Sequence, residues 1–394
     1  MFSNQFYGIL LLLLIEAPVV AQTVRVRLFE IFHPRSVEIS AVQPLLSRSS
    51  PKFENSHHAN FLTVIFNADT LSVNRLRIEL AAAVLQIKGN GIDRSLRTGD
   101  TVNIVTNAGL AASPVKTLKR LYLGKFKIYP LGKELCIINM VSSNAYLAGV
   151  LAAEMPQAKP TALQAQAVVA RTFMAKNQSR HADNGYQFCD LTHCQTYKGK
   201  NGITAQIERA VMSTKDEILF YQQQPVAAYY SSTCGGRTAD DNGVWANQTD
   251  QPYLRSLDDS NFCAHSPHYR WRVKISADSL HQIWQRRLGE SINSITISKK
   301  GDDGRVRELA LIGHSLHLIT GEDFRAVTCR VLGWNTLKST AFDLRIEKNV
   351  YIFTGRGLGH GLGLCQYGAM EMARRGYSYR EILRHYFPGA EIQK

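Results

Sequence analysis

The segment Ser143–Pro156, with the sequence SNAYLAGVLAAEMP, follows an apolar, strand-like segment and is the starting point for the architecture. Its first two residues are typical of a helix N-cap and predict a helix from Ala145 to Glu154. Pro156 ends this helix, because a proline ring disfavours helical backbone in the residue before it. A second helix is predicted from Pro160 to Asn177, with the proline in its first turn.

The chain on either side of these helices has a different character. Thr23–Phe29 alternates apolar and polar residues, and residues 22–130 are β-rich with turn signals such as Gly89-Asn90-Gly91. From residue 131 to 394 helical and strand patterns mix, with a β-rich insertion predicted near residues 292–346. The sequence therefore predicts an α+β protein with a β-rich N-terminal domain and a mixed second domain.

Composition limits the classes of partner. The chain has 394 residues and a formal net charge of +14, which favours polyanions. Neither a dense Lys/Arg run nor a nucleic-acid motif is present, so no nucleic-acid partner is expected. An anionic membrane and an anionic cell-wall polymer remain as candidate partners.

The N-terminus indicates export. Phe6–Ile15 is apolar but shorter than a membrane span, and small residues precede Gln22. Residues 1–21 are therefore predicted to be a signal peptide cleaved near Ala21, which would place the protein in the periplasm or cell envelope. A buried N-terminal strand and a retained anchor are the alternatives. No later segment resembles a transmembrane span.

One carboxylate stands out on the first predicted helix. Leu147, Val150, Leu151 and Glu154 share one face, so Glu154 is expected to point toward apolar surroundings at the negative end of the helix. Both effects favour the protonated carboxyl and suit a general acid and base. The alternative is a glutamate that meets a cation such as Lys159.

The second predicted helix carries further polar candidates. Gln164, Val168 and Arg171 share a face, and Gln166 is offset from it. Arg171 could bind a substrate carboxylate through two parallel hydrogen bonds. It could equally join two structural elements.

Cysteine and histidine residues form a compact cluster. Cys189, His193 and Cys194 lie within six residues, and His181 lies eight residues before Cys189. Two thiolates and two imidazoles would complete a tetrahedral zinc shell without an open position, so such a site would be structural. A Cys189–Cys194 disulfide and a catalytic zinc are the alternatives.

Two glycine-bearing loops are candidates for ligand contact. In Tyr229–Thr238, hydroxyl side chains suit sugar recognition, and two adjacent glycines permit close backbone approach. Neither a nucleophile elbow nor a local base accompanies its serines. Gly355–Gly363 matches neither a phosphate loop nor a dinucleotide fingerprint, but leads into a helix N-terminus. The alternative for this run is a tight turn with a structural His360.

Three further cysteines lie near these loops. Cys234, Cys263 and Cys365 could supply one disulfide, such as Cys234–Cys263, although sequence alone does not give the pairing.

Taken together, these motifs resemble the sporulation stage II protein D (SpoIID/LytB) family. The matching stretches, in family order, are residues 144–156, 162–172, 193–197, 230–238 and 355–369. Cys234 and Cys365 depart from the pattern, since many members have serine there. The resemblance covers about residues 131–392.

The resemblance implies a peptidoglycan lytic transglycosylase acting on glycan strands stripped of stem peptides. Glu154 corresponds to the family's catalytic glutamate, and a structural Zn²⁺ at His181, Cys189, His193 and Cys194 is implied, with no organic cofactor. Members described as amidase enhancers make a non-catalytic wall-binding protein, partnered by an amidase, the alternative. The residues expected to contact the glycan are Gln164, Gln166, Arg171, Tyr229, Ser231, Ser232, Gly235, Gly236, Gly359, His360, Gly361 and Gln366.

Overall fold

The structure is a computed structural model that describes residues 22–42, 61–67, 69–82, 84–97, 99–106, 109–115, 117–241 and 251–394. The predicted signal segment, residues 1–21, lies outside these ranges. Within them, no helix combines the length and the apolar character needed to cross a bilayer.

The N-terminal part of the chain is a succession of strands. Their bounds are β1 Thr23–Leu28, β2 Ser36–Val42, β3 Leu62–Phe66, β4 Asp69–Val73, β5 Arg75–Ala81, β6 Val84–Gly89, β7 Ile92–Leu96, β8 Val102–Val105, β9 Gly109–Val115, β10 Leu118–Tyr122, β11 Lys125–Leu131 and β12 Glu134–Ser142.

Helices and short strands alternate in the remainder. They are α1 Ser143–Glu154, α2 Pro160–Lys176, β13 Phe188–Cys189, α3 Ala205–Ser213, β14 Ile218–Tyr221, β15 Gln224–Pro225, β16 Tyr230–Ser231, α4 Ser260–Cys263, β17 Trp271–Ser276, α5 Ala277–Leu288, β18 Ser294–Lys300, β19 Val306–Ile312, β20 Leu316–Thr320, α6 Gly321–Leu332, β21 Phe342–Glu347, β22 Val350–Gly355, β23 Leu364–Cys365, α7 Gln366–Arg374, α8 Tyr379–Tyr386 and β24 Glu391–Gln393. The α+β class is confirmed.

Two large sheets organise the N-terminal strands. The first has the order β13-β1-β12-β11-β8-β3-β4, and the second has the order β10-β9-β2-β5-β6-β7. The alternation predicted for β1 is present, since Val24, Val26 and Leu28 are buried while Arg25 is exposed. All neighbours in the first sheet are antiparallel except β1 and β13, where Val26 pairs with Phe188.

The first sheet crosses the boundary expected at residue 130. β11 and β12 form an antiparallel hairpin across it, and β12 also pairs with β1. One hydrophobic core accordingly extends from Val24 to Phe387 and includes the strands and the helices that follow. Residues 22–130 are β-rich as expected, but the core that covers their sheets comes partly from later helices.

Helix α1 is apolar all round, which explains its central position. Leu147, Val150 and Leu151 are fully buried, and burying each such side chain contributes about 1.5–3 kcal/mol. The cap is one residue earlier than predicted, because the Ser142 hydroxyl accepts the hydrogen bond from the amide of Ala145. The predicted end at Glu154 and the start of α2 at Pro160 agree with the structure.

The insertion is larger and more helical than predicted. A separate core runs from Trp271 to Phe353, and it contains α5, α6 and the sheets β17-β22-β21 and β18-β19-β20. Trp284 of α5 stacks on Phe324 of α6 with ring centroids 5.3 Å apart. The sequence indicated strands at residues 292–346, but the amphipathic face of α6 within them was missed.

Candidate functional site

Glu154 lies at the C-terminal end of α1 and is half-buried. The amide of Thr196 donates a hydrogen bond of 3.0 Å to Glu154 Oε1. On the other side, Gln366 Nε2 donates to Glu154 Oε2 at 3.5 Å. The carboxylate is therefore neither fully solvated nor sealed inside the core, and both of its oxygens have a donor.

These two hydrogen bonds fix both oxygens of the Glu154 carboxylate in position. A carboxyl group held in a defined orientation is what general acid–base catalysis requires.

A tyrosine hydroxyl adds to this environment. Burial, followed by the negative charge of Glu154, raises the pKa of Tyr230 well above its ordinary value. Its hydroxyl oxygen is buried and has no hydrogen-bond partner among the described residues. Tyr146 of α1 has the same two properties, again with Glu154 among the charges that act on it. Both phenols are therefore protonated at physiological pH, and the charge of Glu154 contributes to this.

The two glycine-bearing loops meet beside Glu154. β16 and β23 pair in parallel, which places Ser231 opposite Cys365, directly before Gln366. Ser231 Oγ is buried without a partner among the described residues, and the Ser232 carbonyl accepts from the Tyr367 amide at 3.1 Å. Both loops therefore lie next to Glu154, and their contact with a ligand stays a prediction.

The glycines mainly allow these loops to pack on each other. A Cβ on Gly235 would lie 2.6 Å from the Gly357 amide nitrogen, and Gly235 has a φ of +81°. A Cβ on Gly359 would lie 3.1 Å from the Ser231 Cβ. These contacts match the tight-packing alternative for the second glycine run and leave direct sugar contact by the glycines a prediction.

His360 also joins the loops. Its Nδ1 accepts a hydrogen bond of 3.1 Å from the Leu362 amide, and its ring also interacts with the Tyr230 backbone. Burial, together with the Arg305 guanidinium, lowers the pKa of His360 to about 3. The imidazole is therefore neutral at physiological pH, and this geometry fits the structural role rather than general acid catalysis. The Tyr229 ring packs edge-on against it at 6.1 Å.

Arg305 was not identified from the sequence. It comes from the loop between β18 and β19 and is fully buried. Its Nη1 donates to the Gly359 carbonyl and its Nη2 to the Cys234 carbonyl, each at 3.4 Å. A Cβ on Gly361 would clash with this guanidinium at 1.9 Å. The insertion therefore helps to hold both loops, a relationship that no local pattern indicates.

The Arg171 prediction needs correction. Its side chain is 2% exposed, and it donates to the carbonyls of Val211, Thr214 and Glu217 at 2.7–3.2 Å. These bonds satisfy the C-terminal carbonyls of α3 and the turn that follows. Because its donors are used inside the protein, Arg171 joins two elements and is not a substrate ligand.

The two glutamines of α2 also lie away from Glu154's contacts. Gln164 Nε2 donates to Ser213 Oγ at 2.9 Å, next to the end of α3. Gln166 is fully buried, and its amide has no hydrogen-bond partner among the described residues. One turn later on the same face, the Ala170 carbonyl accepts from Gln195 Nε2 at 3.1 Å. None of these contacts places Gln164 or Gln166 against a ligand.

The four predicted metal ligands do come together. The ligand atoms of His181, Cys189, His193 and Cys194 all lie within 4.8 Å of one another. His181 Nε2 is 3.3 Å from Cys194 Sγ, and His193 Nδ1 is 3.7 Å from both sulfurs. All seven cysteines are free thiols, so the structure contains neither the Cys189–Cys194 nor the Cys234–Cys263 disulfide. Two sulfurs and two imidazole nitrogens form a donor set that could hold zinc.

This cluster is connected to Glu154 through a short segment. Two residues after Cys194, the Thr196 amide holds the Glu154 carboxylate. Tyr197 is buried, with its hydroxyl donating to Asn139 Oδ1 at 2.9 Å. Thr196 and Tyr230 are functional candidates that the sequence analysis did not single out. Their only signal was membership of the quoted motifs.

Comparisons with known proteins agree with these motifs. A family model described as stage II sporulation protein matches residues 132–221, and a model for a domain of unknown function matches residues 256–363. The chain is 32% identical over 266 residues to stage II sporulation protein D of Bacillus subtilis (strain 168), covering 63% of this chain and 74% of that protein.

Two further relatives broaden the comparison. An uncharacterised protein of Brachyspira hyodysenteriae is 30% identical over 275 residues, covering 69% of this chain and 72% of that protein. An amidase enhancer of Bacillus subtilis (strain 168) is 28% identical over 290 residues, covering 62% of this chain and 40% of that protein.

Proposed function

Since the chain belongs to the stage II sporulation protein D family, we propose that it is a peptidoglycan lytic transglycosylase with Glu154 as its general acid and base. The observation that carries the proposal is the position of Glu154, half-buried between the Thr196 amide and Gln366 with protonated phenols nearby. Its substrate would be glycan strands stripped of stem peptides.

The reaction needs a single carboxyl group. Glu154 protonates the oxygen that bridges N-acetylmuramic acid and N-acetylglucosamine, and the glycosidic bond to C1 breaks. The C6 hydroxyl of the same muramic acid then attacks C1 and gives its proton to Glu154. The product is a 1,6-anhydro sugar, and Glu154 regains its starting form. Because the nucleophile belongs to the substrate, the second carboxylate of a hydrolase is not required.

The surrounding residues have distinct parts in this proposal. Thr196 and Gln366 fix the carboxylate, so that its proton meets the bridging oxygen at a defined angle. The Tyr230 hydroxyl and Ser231 Oγ are buried and lack partners in the described structure, so in this proposal their loop shifts on glycan binding to let them donate to the sugar. Tyr229, Ser232 and the glycine loops shape this side of the site.

A pair of isosteric variants tests the proposal. Glu154→Gln removes the proton-transfer group, and Glu208→Gln makes the same change at an exposed position of α3. Purified glycan treated with an amidase is digested with each protein, and anhydro ends are measured by mass spectrometry. Anhydro product from wild type and Glu208→Gln, with a loss on the order of 10³-fold in Glu154→Gln, supports the proposal. Equal yields from all three proteins reject it.

We further propose that His181, Cys189, His193 and Cys194 hold one structural Zn²⁺. The ion would fix the segment from Cys194 to Thr196 and thus the donor to Glu154. Four protein ligands leave no position for a substrate water. Chelation should therefore reduce folding stability and activity together. Loss of activity with unchanged stability would instead favour the zinc-hydrolase alternative.

A second candidate function is supported by the amidase-enhancer relative. A non-catalytic protein would bind glycan and stimulate a cell-wall amidase without forming anhydro ends. The same Glu154→Gln variant separates the two functions. Stimulation of an amidase that survives this substitution, with no anhydro product from wild type, would favour the enhancer.

The proposed location is the cell envelope, reached through the signal segment expected at residues 1–21. The net charge of +14 suits an anionic wall polymer. The names of the Bacillus relatives, which refer to sporulation and to amidase enhancement, support the same setting.

A further inference from the structure

A second cluster of metal-ligating side chains lies behind the glycine loops. The ligand atoms of Cys234, Asp259, Cys263 and Cys365 all lie within 4.8 Å of one another. Cys234 Sγ is 3.1 Å from Asp259 Oδ2 and 3.5 Å from Cys263 Sγ. All four side chains are buried, at 0–1% exposure. Four potential ligands thus converge from three separate parts of the chain.

We propose that these four residues bind a second Zn²⁺ in a closed shell of three thiolates and one carboxylate. With Zn–S bonds of about 2.3 Å, a tetrahedral shell places its sulfurs about 3.8 Å apart. The observed spacing needs only small adjustments to reach this geometry. The sulfur-rich, four-ligand set suits zinc and does not suit Mg²⁺ or Ca²⁺, which take six or more oxygens. Binding displaces the three thiol protons.

Backbone amides support the sulfurs as thiolates. The Gly236 amide donates to Cys263 Sγ at 3.1 Å, and the Gly368 amide donates to Cys365 Sγ at 3.4 Å. The Cys234 amide also donates to Cys365 Sγ, at 3.3 Å. Such hydrogen bonds offset the negative charge of a buried thiolate site and orient its ligands. Cys365 also caps α7, where the helix dipole favours an anion.

The carboxylate is oriented in the same way. The Tyr386 hydroxyl donates to Asp259 Oδ1 at 2.8 Å, while Oδ2 faces Cys234. His385 Nε2 lies 3.5 Å from the same Oδ1. One oxygen is therefore held by the protein and the other is directed at the sulfurs, as a carboxylate that gives one ligand atom requires.

Gly368 makes room for this arrangement. A Cβ at residue 368 would lie 2.6 Å from Asp259 Oδ2 and 2.0 Å from the Tyr386 hydroxyl. Any larger residue would displace the carboxylate from the sulfurs. The space around the cluster is thus closed on the side of α7.

The alternative is the Cys234–Cys263 disulfide considered from the sequence. It would use two of the four groups and leave Cys365 and Asp259 as a buried thiol and a buried carboxylate. Burying a carboxylate is costly, and its neighbour His385, 3.5 Å away, is a counter-charge only when protonated, whereas a divalent cation compensates the carboxylate directly. The full set of four, with its amide donors, favours the metal.

A metal ion at this site would fix the position of Gln366. Cys365 directly precedes Gln366, whose amide meets Glu154, and Cys234 follows Ser231 in the opposing loop. A bound ion would tie α4, the start of α7 and the β16 loop together. It would hold Gln366 at its distance from Glu154.

Zinc content provides the test, independently of any activity. The full chain is produced with zinc, desalted, and analysed by mass spectrometry of the metal. About two zinc ions per chain are expected, one for each ligand group. The Cys189→Ser/Cys194→Ser and Cys234→Ser/Cys263→Ser proteins should each retain about one, and Cys329→Ser, a thiol outside both groups, should retain both.

Two measurements on the unmodified chain cover the case in which a variant fails to fold. Thiols are titrated in denaturant with chelator and without reductant, and all seven should react. The cobalt-substituted protein should show sulfur-to-cobalt absorption stronger than a site with two thiolates gives. One zinc per wild-type chain that the Cys234→Ser/Cys263→Ser protein retains overturns the proposal. A peptide map of the wild type in which Cys234 and Cys263 are the unreactive pair also overturns it and assigns them to a disulfide.

Discussion

The side-chain amide of Gln366 lies 3.5 Å from the carboxylate of Glu154, although 212 residues separate them in the chain. Glu154 ends α1, and Gln366 begins α7. The contact brings together residues 144–156 and 355–369, the first and last of the stretches that resemble the family. It also means that anything that moves the start of α7 changes the surroundings of the catalytic candidate.

Gln366→Leu should lower glycan cleavage on the order of 10-fold, because it removes a donor to Glu154 while keeping the side-chain volume. The loss should lie mainly in kcat, since Gln366 is a positioning residue. Steady-state release of anhydro ends gives both constants. Gln164→Leu is the control, as its amide bonds Ser213 instead. Wild-type kinetics in Gln366→Leu would remove this residue from the mechanism.

Tyr230→Phe should separate activity from stability. The buried hydroxyl has no partner in the described structure, so its removal should leave the free energy of unfolding unchanged or raise it by about 1 kcal/mol. Cleavage should fall on the order of 10²-fold if the phenol donates to the sugar. Urea unfolding and the anhydro-end assay supply the two values. Tyr122→Phe removes another buried hydroxyl, which interacts with Arg120 and not with Glu154, and should leave cleavage unchanged. An equal fall in cleavage for Tyr122→Phe would mean that the loss in Tyr230→Phe comes from altered packing and not from a lost donor to the sugar.

Arg171→Met should destabilise the protein by about 3 kcal/mol or more, because the carbonyls of Val211, Thr214 and Glu217 lose their buried donor. Cleavage per folded molecule should stay at the wild-type value. Urea unfolding and activity normalised to the folded fraction test both statements. Arg209→Met, on the exposed face of α3, should have little effect. Normal stability with lost cleavage would restore the substrate-binding role expected from the sequence.

His360 should make the protein sensitive to acid. Its folded pKa of about 3 lies below the unfolded value of about 6.5, so between these values the unfolded chain binds a proton that the folded protein does not. Stability should therefore fall as pH decreases through this range, by up to about 1.4 kcal/mol per pH unit. Chemical denaturation from pH 7 to pH 4 should show a shallower slope for His360→Gln than for wild type. His314→Gln, at an exposed position, should keep the wild-type slope.

Several parts of the site were predictable from the sequence, because they depend on helix capping and on the spacing of residues that are close in the chain. The proline at residue 156 and the N-terminal polar cap define α1, with Glu154 as its last residue. The spacing of Cys189, His193 and Cys194 was enough to indicate a shared ligand group, and the structure assembles it with His181. Each of these features depends on backbone geometry over a few residues.

Longer-range relationships were not predictable in this way. Arg171 has the same local signature whether it binds a substrate or the end of α3, and only the position of α3 decides between them. The boundary expected at residue 130 failed to mark separate cores because strand pairing joins β12 to β1 across it. Arg305 reaches both glycine loops from the insertion, and its sequence neighbours carry no sign of that role.

Local patterns were sufficient to predict the α+β class, the helix that ends at Glu154, and the identity of the groups capable of chemistry. These follow from periodicity, caps and side-chain type, which act within one or two turns of backbone. Which of these groups meet depends on the packing of the whole chain, which brings Gln366 to Glu154, and Cys234 to Asp259, Cys263 and Cys365. Burial of a common core brings distant segments together, and the pattern within each segment does not specify its neighbours across that core.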